Sequence, residues 1–280
     1  MSPSDEINDL NSVNNKFDRE FDLADDLNLA IELADIADVI SLARYQAIDL
    51  VIETKPDLTP VTDADKAVEG AIRVELAMRR PNDLIVGEEF GRPNLDGANY
   101  YWVIDPIDGT KNYLRGVPVW ATLIGLVNPA NEVVAGVVSA PALGRRWYGA
   151  HGKGAFVKFN NESKRISVSK VAKLSDASLA YSDLVGWGEQ RQAFVDLQER
   201  VWRTRGHGDF WAHMLVAEGA VDISVEPKLA LWDMAALDII VREAGGSFTD
   251  LNGKPGPHGT GAVSSNGKLL TEFITAIAGK

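Results

Sequence analysis

The stretch that most constrains the fold is residues 101–113, which read YWVIDPIDGTKNY. It begins as an apolar run with β-branched and aromatic members, which predicts a buried strand, and it ends in a turn that carries two carboxylates. Pro106 fixes its own backbone angle, so we expect a sharp turn after Asp105 and a carbonyl of Ile107 that points into a site. Asp105, this carbonyl and Asp108 would be hard oxygen ligands of the kind that Mg²⁺ prefers. The alternative is an ordinary polar turn, which a lone Asp-x-x-Asp pair would favour.

The same turn continues into Gly109 and Thr110. A glycine leaves room for a ligand, and the two amides could open a helix whose N-terminus favours an anion. A metal ion and a phosphate group would then meet at one corner of the fold.

The charge of the chain limits which partners such a site can serve. The 280 residues carry a formal net charge of −12, and residues 1–26 hold eight acidic and two basic side chains, or −6 of that total. An acidic surface repels phosphate backbones, so we expect no nucleic-acid partner. An acidic protein that handles a phosphate needs metal ions locally, which agrees with the motif. The chain has no cysteine, which excludes disulfides, thiolate metal sites and cysteine nucleophiles.

The N-terminus gives no sign of a targeting segment. No apolar run reaches membrane-spanning length, and the polar start lacks the basic residues and apolar core of a signal peptide. We therefore expect no membrane partner and a cytoplasmic location. Residues 1–25 are acidic and poor in large apolar side chains, which predicts a disordered extension.

The remaining chain divides by pattern into two halves, residues 26–170 and 171–280. In the first half, helical spacing predicts one helix over about residues 27–48 and a second after residue 63, and strand-like runs with hairpin turns predict a mainly antiparallel sheet beneath them. The apolar face of the second helix is predicted to consist of Ala67, Ala71, Val74 and Met78. In the second half, short strands alternate with helical stretches, which indicates an α/β layer.

Further acids stand where predicted elements begin or end. A short strand over residues 84–87 would deliver Glu88 and Glu89 at its end, and the glycine just before them makes a ligand role plausible. Asp233 falls in the first turn of a predicted helix, where an aspartate is ordinarily a cap.

Residues 62–65 have the pattern of a capping box, with Thr62 followed three positions later by Asp65. A structural role at a helix start is therefore the default for Thr62 and Asp63.

Four segments together resemble the inositol monophosphatase superfamily in their order and approximate spacing. They are residues 87–89 (GEE), 102–110 (WVIDPIDGT), 232–236 (WDMAA) and 243–246 (EAGG). The match covers nearly everything from residue 29 onward. The resemblance implies an α/β (α+β) fold built as a layered α/β/α/β/α sandwich, and a homodimer.

The resemblance also implies two or three Mg²⁺ ions per active site. Their ligands would be Glu88, Asp105, the carbonyl of Ile107, Asp108 and Asp233. Such ions would neutralise the phosphate oxygens and stabilise the leaving alkoxide in an in-line displacement, so no nucleophilic side chain is needed.

By the same resemblance, Asp63 and Thr110, with Glu88, would orient and deprotonate the attacking water, and the amides of Gly109 and Thr110 would hold the phosphate. The histidines are then free of a general-base role. We expect structural or surface positions for them, His207 excepted because of its neighbours; they are His151, His207, His213 and His258.

Within the superfamily, residues 105–124 and 203–211 are similar to the histidinol-phosphate phosphatases of actinobacterial type. L-Histidinol phosphate carries an ammonium group and an imidazole. Asp209 or Glu226 would supply the counter-charge to the ammonium group.

Phe210 or Trp211 would offer a ring face to the imidazole, with core packing of a short helix as the alternative. Arg205 would meet the phosphate from the side opposite the metals. In full, the residues expected to bind substrate are Ile107, Asp108, Gly109, Thr110, Lys111, Arg205, Asp209, Glu226 and Asp233.

The expected function is Mg²⁺-dependent hydrolysis of L-histidinol phosphate to L-histidinol and phosphate, in histidine biosynthesis. The partner is then a small-molecule phosphate monoester. An inositol-1-phosphate or broad-specificity sugar-phosphate monophosphatase is the first alternative, followed by a bisphosphate nucleotidase or fructose bisphosphatase. A non-catalytic metal- or phosphate-binding protein on the same fold is an alternative of a different class.

Overall fold

The computed structural model of the protein describes residues 22–56 and 58–279. Most of the predicted N-terminal extension lies outside these residues. The first helix begins and ends four residues earlier than predicted, at Leu23 and Arg44, and so includes the end of the predicted extension. It starts there because the Asp22 carboxylate accepts hydrogen bonds from the amides of Ala24 and Asp25.

The elements of the described residues are as follows. The helices are α1 Leu23–Arg44, α2 Asp63–Arg79, α3 Thr110–Leu114, α4 Arg191–Gln198, α5 Asp209–Ala217, α6 Leu231–Glu243 and α7 Leu270–Ile277. The strands are β1 Ile52–Thr54, β2 Pro60–Thr62, β3 Leu84–Gly87, β4 Tyr101–Asp108, β5 Ala121–Val127, β6 Val133–Ala140, β7 Arg145–Ala150, β8 Gly154–Phe159, β9 Glu162–Arg165, β10 Ser178–Tyr181, β11 Arg203–Gly206, β12 Ile223–Glu226, β13 Ser247–Thr249 and β14 Ala262–Ser265. Among these helices, none combines the length and apolar character that a membrane crossing requires.

Two large sheets and three helical layers make up the body of the fold, and β1 and β2 form a separate two-stranded sheet. A seven-stranded sheet runs in the order β3-β4-β5-β6-β7-β8-β9, and a five-stranded sheet in the order β11-β10-β12-β14-β13. Helices α1 and α2 cover the outer face of the first sheet, α5 and α6 fill the space between the sheets, and α4 and α7 cover the second. This stacking confirms the predicted α/β/α/β/α sandwich.

The strand directions fit the two patterns seen in the sequence. In the first sheet only β3 and β4 pair in parallel, so the sheet is mainly antiparallel as predicted. In the second sheet β10 runs parallel to both of its neighbours. The proposed division of the chain at residue 170 falls between the two sheets, and we keep it as a proposal.

Helix α6 approaches the first sheet closely because glycines face it. A Cβ added to Gly136 would lie 2.6 Å from Cγ2 of Ile239, and one added to Gly125 would lie 3.0 Å from the Cβ of Ala235. Both distances are too short for a side chain. The two glycines therefore let α6 rest directly on β5 and β6, which fixes the start of α6 beside the end of β4.

The predicted apolar face of α2 is wrong. Val74 and Met78 are more than half exposed, whereas the buried apolar residues are Val68, Ile72 and Leu76. The buried face also contains two acids, Asp65 and Glu69, both 0% exposed. Because these acids interrupt the apolar pattern, the sequence favoured the wrong face, and both acids belong to the site described next.

Candidate active site

Two buried carboxylates and one half-buried carboxylate meet where the first sheet ends against α6. Asp105 and Asp108 come from β4 and Asp233 from the first turn of α6, and one oxygen of each lies within 4.8 Å of the others. Carboxylate oxygens that converge in this way are the ligand set of a hard divalent cation. The structure thus brings together three of the predicted metal ligands.

A bulge in β4 allows both of its aspartates to reach the site. Successive side chains of a strand point to opposite faces, so residues 105 and 108 of a regular strand would diverge. The pairing of β4 with β5 shifts register between Asp105 and Asp108, and the carbonyl of Pro106 within the bulge accepts a hydrogen bond from the Thr122 hydroxyl at 2.8 Å. The chain therefore does not turn sharply after Asp105 as expected, because the strand continues to Asp108 through this bulge.

Backbone amides hold the three carboxylates in place. The Ile107 amide donates to Asp105 Oδ1 at 3.0 Å, the Phe210 amide to Asp108 Oδ2 at 2.6 Å, and the Ala230 amide to Asp233 Oδ2 at 2.6 Å. The last bond closes the start of α6, so Asp233 acts as a cap as well as a candidate ligand. Each carboxylate is thus oriented before any ligand binds.

The cluster holds negative charge that little in its surroundings neutralises. Burial, followed by the charges of Glu88, Asp108 and Asp233, raises the pKa of Asp105 well above 3.8. Burial and the neighbouring acids also raise the pKa of Asp108, and burial raises that of Asp233 to about 7 despite the bond from Ala230. A divalent cation would remove this repulsion, so the residues present fit a metal site.

Glu88 lies beside the cluster, where its side chain hydrogen-bonds to Asp105, and it also bonds away from the cluster. Its Oε1 accepts a hydrogen bond from Lys55 Nζ at 2.7 Å, and the same ammonium group donates to Glu89 Oε1 at 2.7 Å. Lys55 is thus a half-buried bridge between two acids, and these bonds outweigh its burial and raise its pKa. Glu88 still raises the pKa of Asp105 and Asp233, which places its charge at the edge of the cluster.

Glu69 fixes the turn that carries Glu88. Its carboxylate accepts hydrogen bonds from the amides of Glu89 at 2.7 Å and Phe90 at 3.3 Å. A Cβ on Gly87 would lie 1.8 Å from Glu69 Oε1, so the glycine that precedes the two glutamates is required by this contact. The sequence analysis did not identify Glu69. The available signal was a glutamate placed among the apolar residues of a helix, which indicates a buried acid.

The catalytic role predicted for Asp63 does not fit its surroundings. Arg44 Nη2 donates to Asp63 Oδ2 at 2.7 Å, and the Asp63 side chain is 38% exposed. Asp65 is the buried acid of this turn, and its Oδ2 accepts bonds from the Thr62 amide at 2.8 Å and the Thr62 hydroxyl at 2.5 Å. Burial raises the pKa of Asp65 to about 6, and Glu88 adds to the shift. The capping box is therefore present as predicted. Its Asp65, rather than Asp63, has a pKa that the charge of Glu88 raises.

Helix α3 begins at Thr110, as the sequence predicts. Gly109 adopts φ +84°, and a Cβ there would lie 3.0 Å from the carbonyl oxygen of Val119. The Thr110 hydroxyl donates to the Ile107 carbonyl at 3.1 Å. The carbonyl proposed as a metal ligand therefore already accepts one bond and keeps its second lone pair.

An open cavity of about 560 Å³ adjoins these residues. Both sheets contribute to it, through loops that follow β4, β10 and β11. Its lining consists of Thr59, Pro60, Glu88, Gly109, Thr110, Lys111, Asn112, Val117, Val119, Ser182, Asp183, Gly206, His207, Gly208, Asp209 and Trp211. A small phosphate ester fits a cavity of this size beside the acids.

Asp209 lines this cavity in an uncommon backbone conformation. Its φ is +57°, a region that favours glycine. Asn112 Nδ2 donates to Asp209 Oδ2 at 3.3 Å. Burial and the charge of Glu226 raise the pKa of Asp209 to about 6, against the opposing effect of Lys111. Both Asp209 and Glu226 also raise the pKa of Asp108, so this second pair of acids lies close to the aspartate cluster.

The other predicted substrate contacts divide into three outcomes. Glu226 is 6% exposed and lies behind the cavity wall near Gly208. Trp211 lines the cavity, whereas Phe210 is 0% exposed in the core against Trp147, so core packing is correct for Phe210.

Arg205 is exposed, donates to the Thr204 carbonyl at 2.8 Å and is absent from the cavity lining, so the structure does not place it opposite the metal site.

Comparison with known proteins gives consistent matches. A sequence model described as the Inositol monophosphatase family matches residues 22–279. The histidinol-phosphatase of Streptomyces coelicolor is 55% identical over 259 residues, which cover 90% of this chain and 97% of that protein. The histidinol-phosphatase of Mycobacterium tuberculosis is 54% identical over 256 residues, which cover 90% of this chain and 98% of that protein.

The fold has solved counterparts. An IMPase of Thermotoga maritima superposes with a TM-score of 0.80 at 31% sequence identity, covering 91% of this chain and 97% of that chain. The five-layer arrangement is therefore shared with an experimentally determined structure.

The buried acids predict that Mg²⁺ stabilises the protein more at high than at low pH. Without a cation, the folded state raises the pKa of Asp233 from 3.8 to about 7, so the stability that its protonation contributes is present below about pH 4 and lost as the pH rises through about 7. The gain in Tm on replacing EDTA with Mg²⁺ should therefore be larger at about pH 8 than at about pH 5.

Thermal unfolding at the two pH values measures this difference. Asp238→Asn is a matched control, because Asp238 is a buried acid of the same helix that pairs with Arg242 outside the cluster. The control should keep the wild-type gain in Tm, whereas Asp233→Asn should reduce it at about pH 8. An equal or smaller gain at the higher pH would contradict the assignment.

Proposed function

The chain belongs to the inositol monophosphatase family, and on that premise we propose that it is a phosphoric monoester hydrolase that converts L-histidinol phosphate to L-histidinol and phosphate. The histidinol-phosphatases among its relatives support this substrate. The observation that carries the proposal is the pair Asp209 and Glu226, two carboxylates that lie beside the aspartate cluster without belonging to it, Asp209 in the cavity lining and Glu226 buried behind it. An amine-bearing leaving group needs such counter-charge, whereas a neutral polyol does not.

The aspartate cluster serves the phosphate end of the substrate. Asp105, Asp108 and Asp233 would hold Mg²⁺, with Glu88 and the Ile107 carbonyl completing the ligand set of two or three ions. When bound, these ions supply the positive charge that the phosphate oxygens and the departing alkoxide require. The Gly109 and Thr110 amides and Lys111 would bind the phosphate from the start of α3, which lines the cavity.

Asp65 and Thr110, with Glu88, would orient and deprotonate the attacking water. Asp65 takes the role that the sequence assigned to Asp63, because it is buried and has a pKa raised to about 6; its Oδ1, like that of Asp63, has no hydrogen-bond partner among the described residues. A base with a pKa closer to neutrality accepts a proton more readily than an ordinary aspartate. The oxygen of water then attacks phosphorus in line with the bond to the leaving alcohol, and that bond breaks.

Asp209 and Glu226 serve the other end of the substrate. The ammonium group of histidinol would pair with these acids, and the imidazole would lie against Trp211, whose ring lines the cavity. An ammonium group there also relieves the repulsion between the two carboxylates. The cations would thus neutralise the aspartate cluster, and the ammonium group of the substrate would neutralise Asp209 and Glu226.

We extend the proposal to the setting of the enzyme. The enzyme would act as a homodimer in the cytoplasm and catalyse a step of histidine biosynthesis. Its partner would be a small-molecule phosphate ester rather than nucleic acid or a membrane. The net charge of −12 supports the exclusion of nucleic acid. The homodimer follows from the family resemblance.

One comparison of substrates tests the proposal. Purified protein with Mg²⁺ would be given L-histidinol phosphate, myo-inositol 1-phosphate, fructose 1,6-bisphosphate and an adenosine bisphosphate, and phosphate release compared as kcat/KM. We expect histidinol phosphate to be preferred by at least about tenfold, the factor that one well-placed ion pair provides. A preference for inositol phosphate would overturn the substrate, and no release from any of the four would favour a binding protein.

A pair of isosteric substitutions separates the two candidate bases. Asp65→Asn keeps an oxygen that can accept the Thr62 bonds but removes the base, so kcat should fall by roughly 10²–10⁴. Asp63→Asn loses only a partly exposed pair with Arg44 and should change kcat by less than about threefold. Steady-state kinetics at saturating Mg²⁺ distinguish them. A large loss in Asp63→Asn with activity retained in Asp65→Asn would restore the original assignment.

Asp209 should show opposite effects on stability and on substrate choice. Because glycine adopts positive φ without strain, Asp209→Gly should raise Tm while lowering kcat/KM for histidinol phosphate by at least about tenfold. Asp209→Asn also tolerates this conformation and removes the charge alone, so it should show the same preference for neutral esters without the full gain in Tm. Equal losses on histidinol phosphate and on glycerol 2-phosphate would contradict the counter-charge role.

A further inference from the structure

A histidine lies buried behind the cavity, outside the groups used so far. His213 on α5 is 0% exposed, and its ring packs at 5.9 Å from that of Phe248. Its Nδ1 lies 2.6 Å from the Ser264 hydroxyl of β14. The sequence predicts a structural or surface position for it, but a buried imidazole with one nitrogen fixed in this way also controls the direction of the other nitrogen.

The second nitrogen faces Glu226. His213 Nε2 lies 3.5 Å from Glu226 Oε1, and among the described residues neither atom has a hydrogen-bond partner. A carboxylate that is 6% exposed is costly to bury without a donor. His213 Nε2 and Glu226 Oε1 can therefore each serve as the hydrogen-bond partner of the other.

The Ser264 contact is compatible with the ring tautomer in which His213 Nε2 donates to Glu226. If the Ser264 hydroxyl donates to Nδ1, the ring hydrogen is on Nε2 and points toward Glu226. The imidazole then acts as a neutral donor. A neutral donor holds the carboxylate in place without cancelling its charge, which a lysine or arginine would do.

Glu226 connects this pair to the cavity. Its Oε2 lies 3.9 Å from the position that a Cβ on Gly208 would take, and Gly208 lines the cavity. Asp209 and His213 stand four residues apart on α5, one helical turn, so they lie on the same side of the helix. The groups thus run in order from Ser264 in the core through His213 and Glu226 to the cavity lining.

We propose that His213 is a positioning residue that holds the Glu226 side chain aimed at the cationic leaving group, and so sets the preference for amine-bearing phosphate esters. This inference rests on the proposed function. His213 does not touch the substrate. It acts through Glu226, and Ser264 acts through His213.

Two substitutions of His213 separate this role from packing. His213→Phe keeps a planar ring and removes the donor, whereas His213→Gln keeps an N–H group at similar reach. The measured quantity is the ratio of kcat/KM for L-histidinol phosphate to kcat/KM for glycerol 2-phosphate, which has no ammonium group. The ratio should fall about tenfold in His213→Phe, mainly through KM for histidinol phosphate, and stay within about threefold of wild type in His213→Gln.

Ser224→Ala is the matched control. Ser224 is 0% exposed on the same strand as Glu226, and its hydroxyl has no hydrogen-bond partner among the described residues. Its replacement removes a buried polar atom of the same neighbourhood and should leave the ratio unchanged. If His213→Phe does not fold, Ser264→Ala carries the test, because it removes the hydroxyl that fixes the tautomer and should lower the ratio by about threefold.

The wild-type protein separates failure of this inference from failure of the proposed function. If the wild type does not prefer histidinol phosphate, the function itself is wrong. If the wild type prefers it and the ratio is unchanged in His213→Phe, or in Ser264→Ala where that variant carries the test, the positioning role is overturned. Equal losses in His213→Phe and His213→Gln would also overturn it, because a retained donor would then make no difference.

Discussion

The structure depends on negative charge that is buried without a counter-charge where β4 ends against α6. Asp105, Asp108 and Asp233 bring oxygens within 4.8 Å of each other, and their surroundings raise the pKa of all three carboxyls. Such an arrangement is unfavourable for the folded protein alone and becomes favourable with a cation. Three features keep these carboxylates together: the bulge in β4, the hydrogen bonds from backbone amides to each carboxylate, and the close packing of α6 against the first sheet.

A second pair of acids lies next to the aspartate cluster and has a different use in the proposed reaction. Asp209 and Glu226 repel each other, and both raise the pKa of Asp108. The backbone of Asp209 adopts a conformation that glycine would take more easily. Local strain and repulsion of this kind persist where the ligand relieves them. In the proposed reaction the cations relieve the cluster and the ammonium group of the substrate relieves the second pair, so reaction type and substrate choice are assigned to neighbouring groups of acids in one cavity.

The sequence predicted most of what depends on local pattern. Strand β4, the glutamates after β3 and the acid at the start of α6 could be found because each stands at a recognisable boundary between elements. The bulge could not be found, since it arises from pairing with β5 and changes which side chains share a face. Our proposal of Asp65 in place of Asp63 has a similar origin, since both fit the start of a helix and only tertiary packing buries Asp65 and leaves Asp63 with Arg44. Arg205 and Phe210 were separated from the cavity by the path of β11 and α5, which spacing alone does not reveal.

The most direct test of the cation site is an anomalous difference map from crystals grown with Mn²⁺, which takes the same oxygen ligands as Mg²⁺. The account predicts a peak within coordination distance of Asp105, Asp108 and Asp233 together. A map with Mn²⁺ bound elsewhere and these three carboxylates bonded only to protein groups would contradict it.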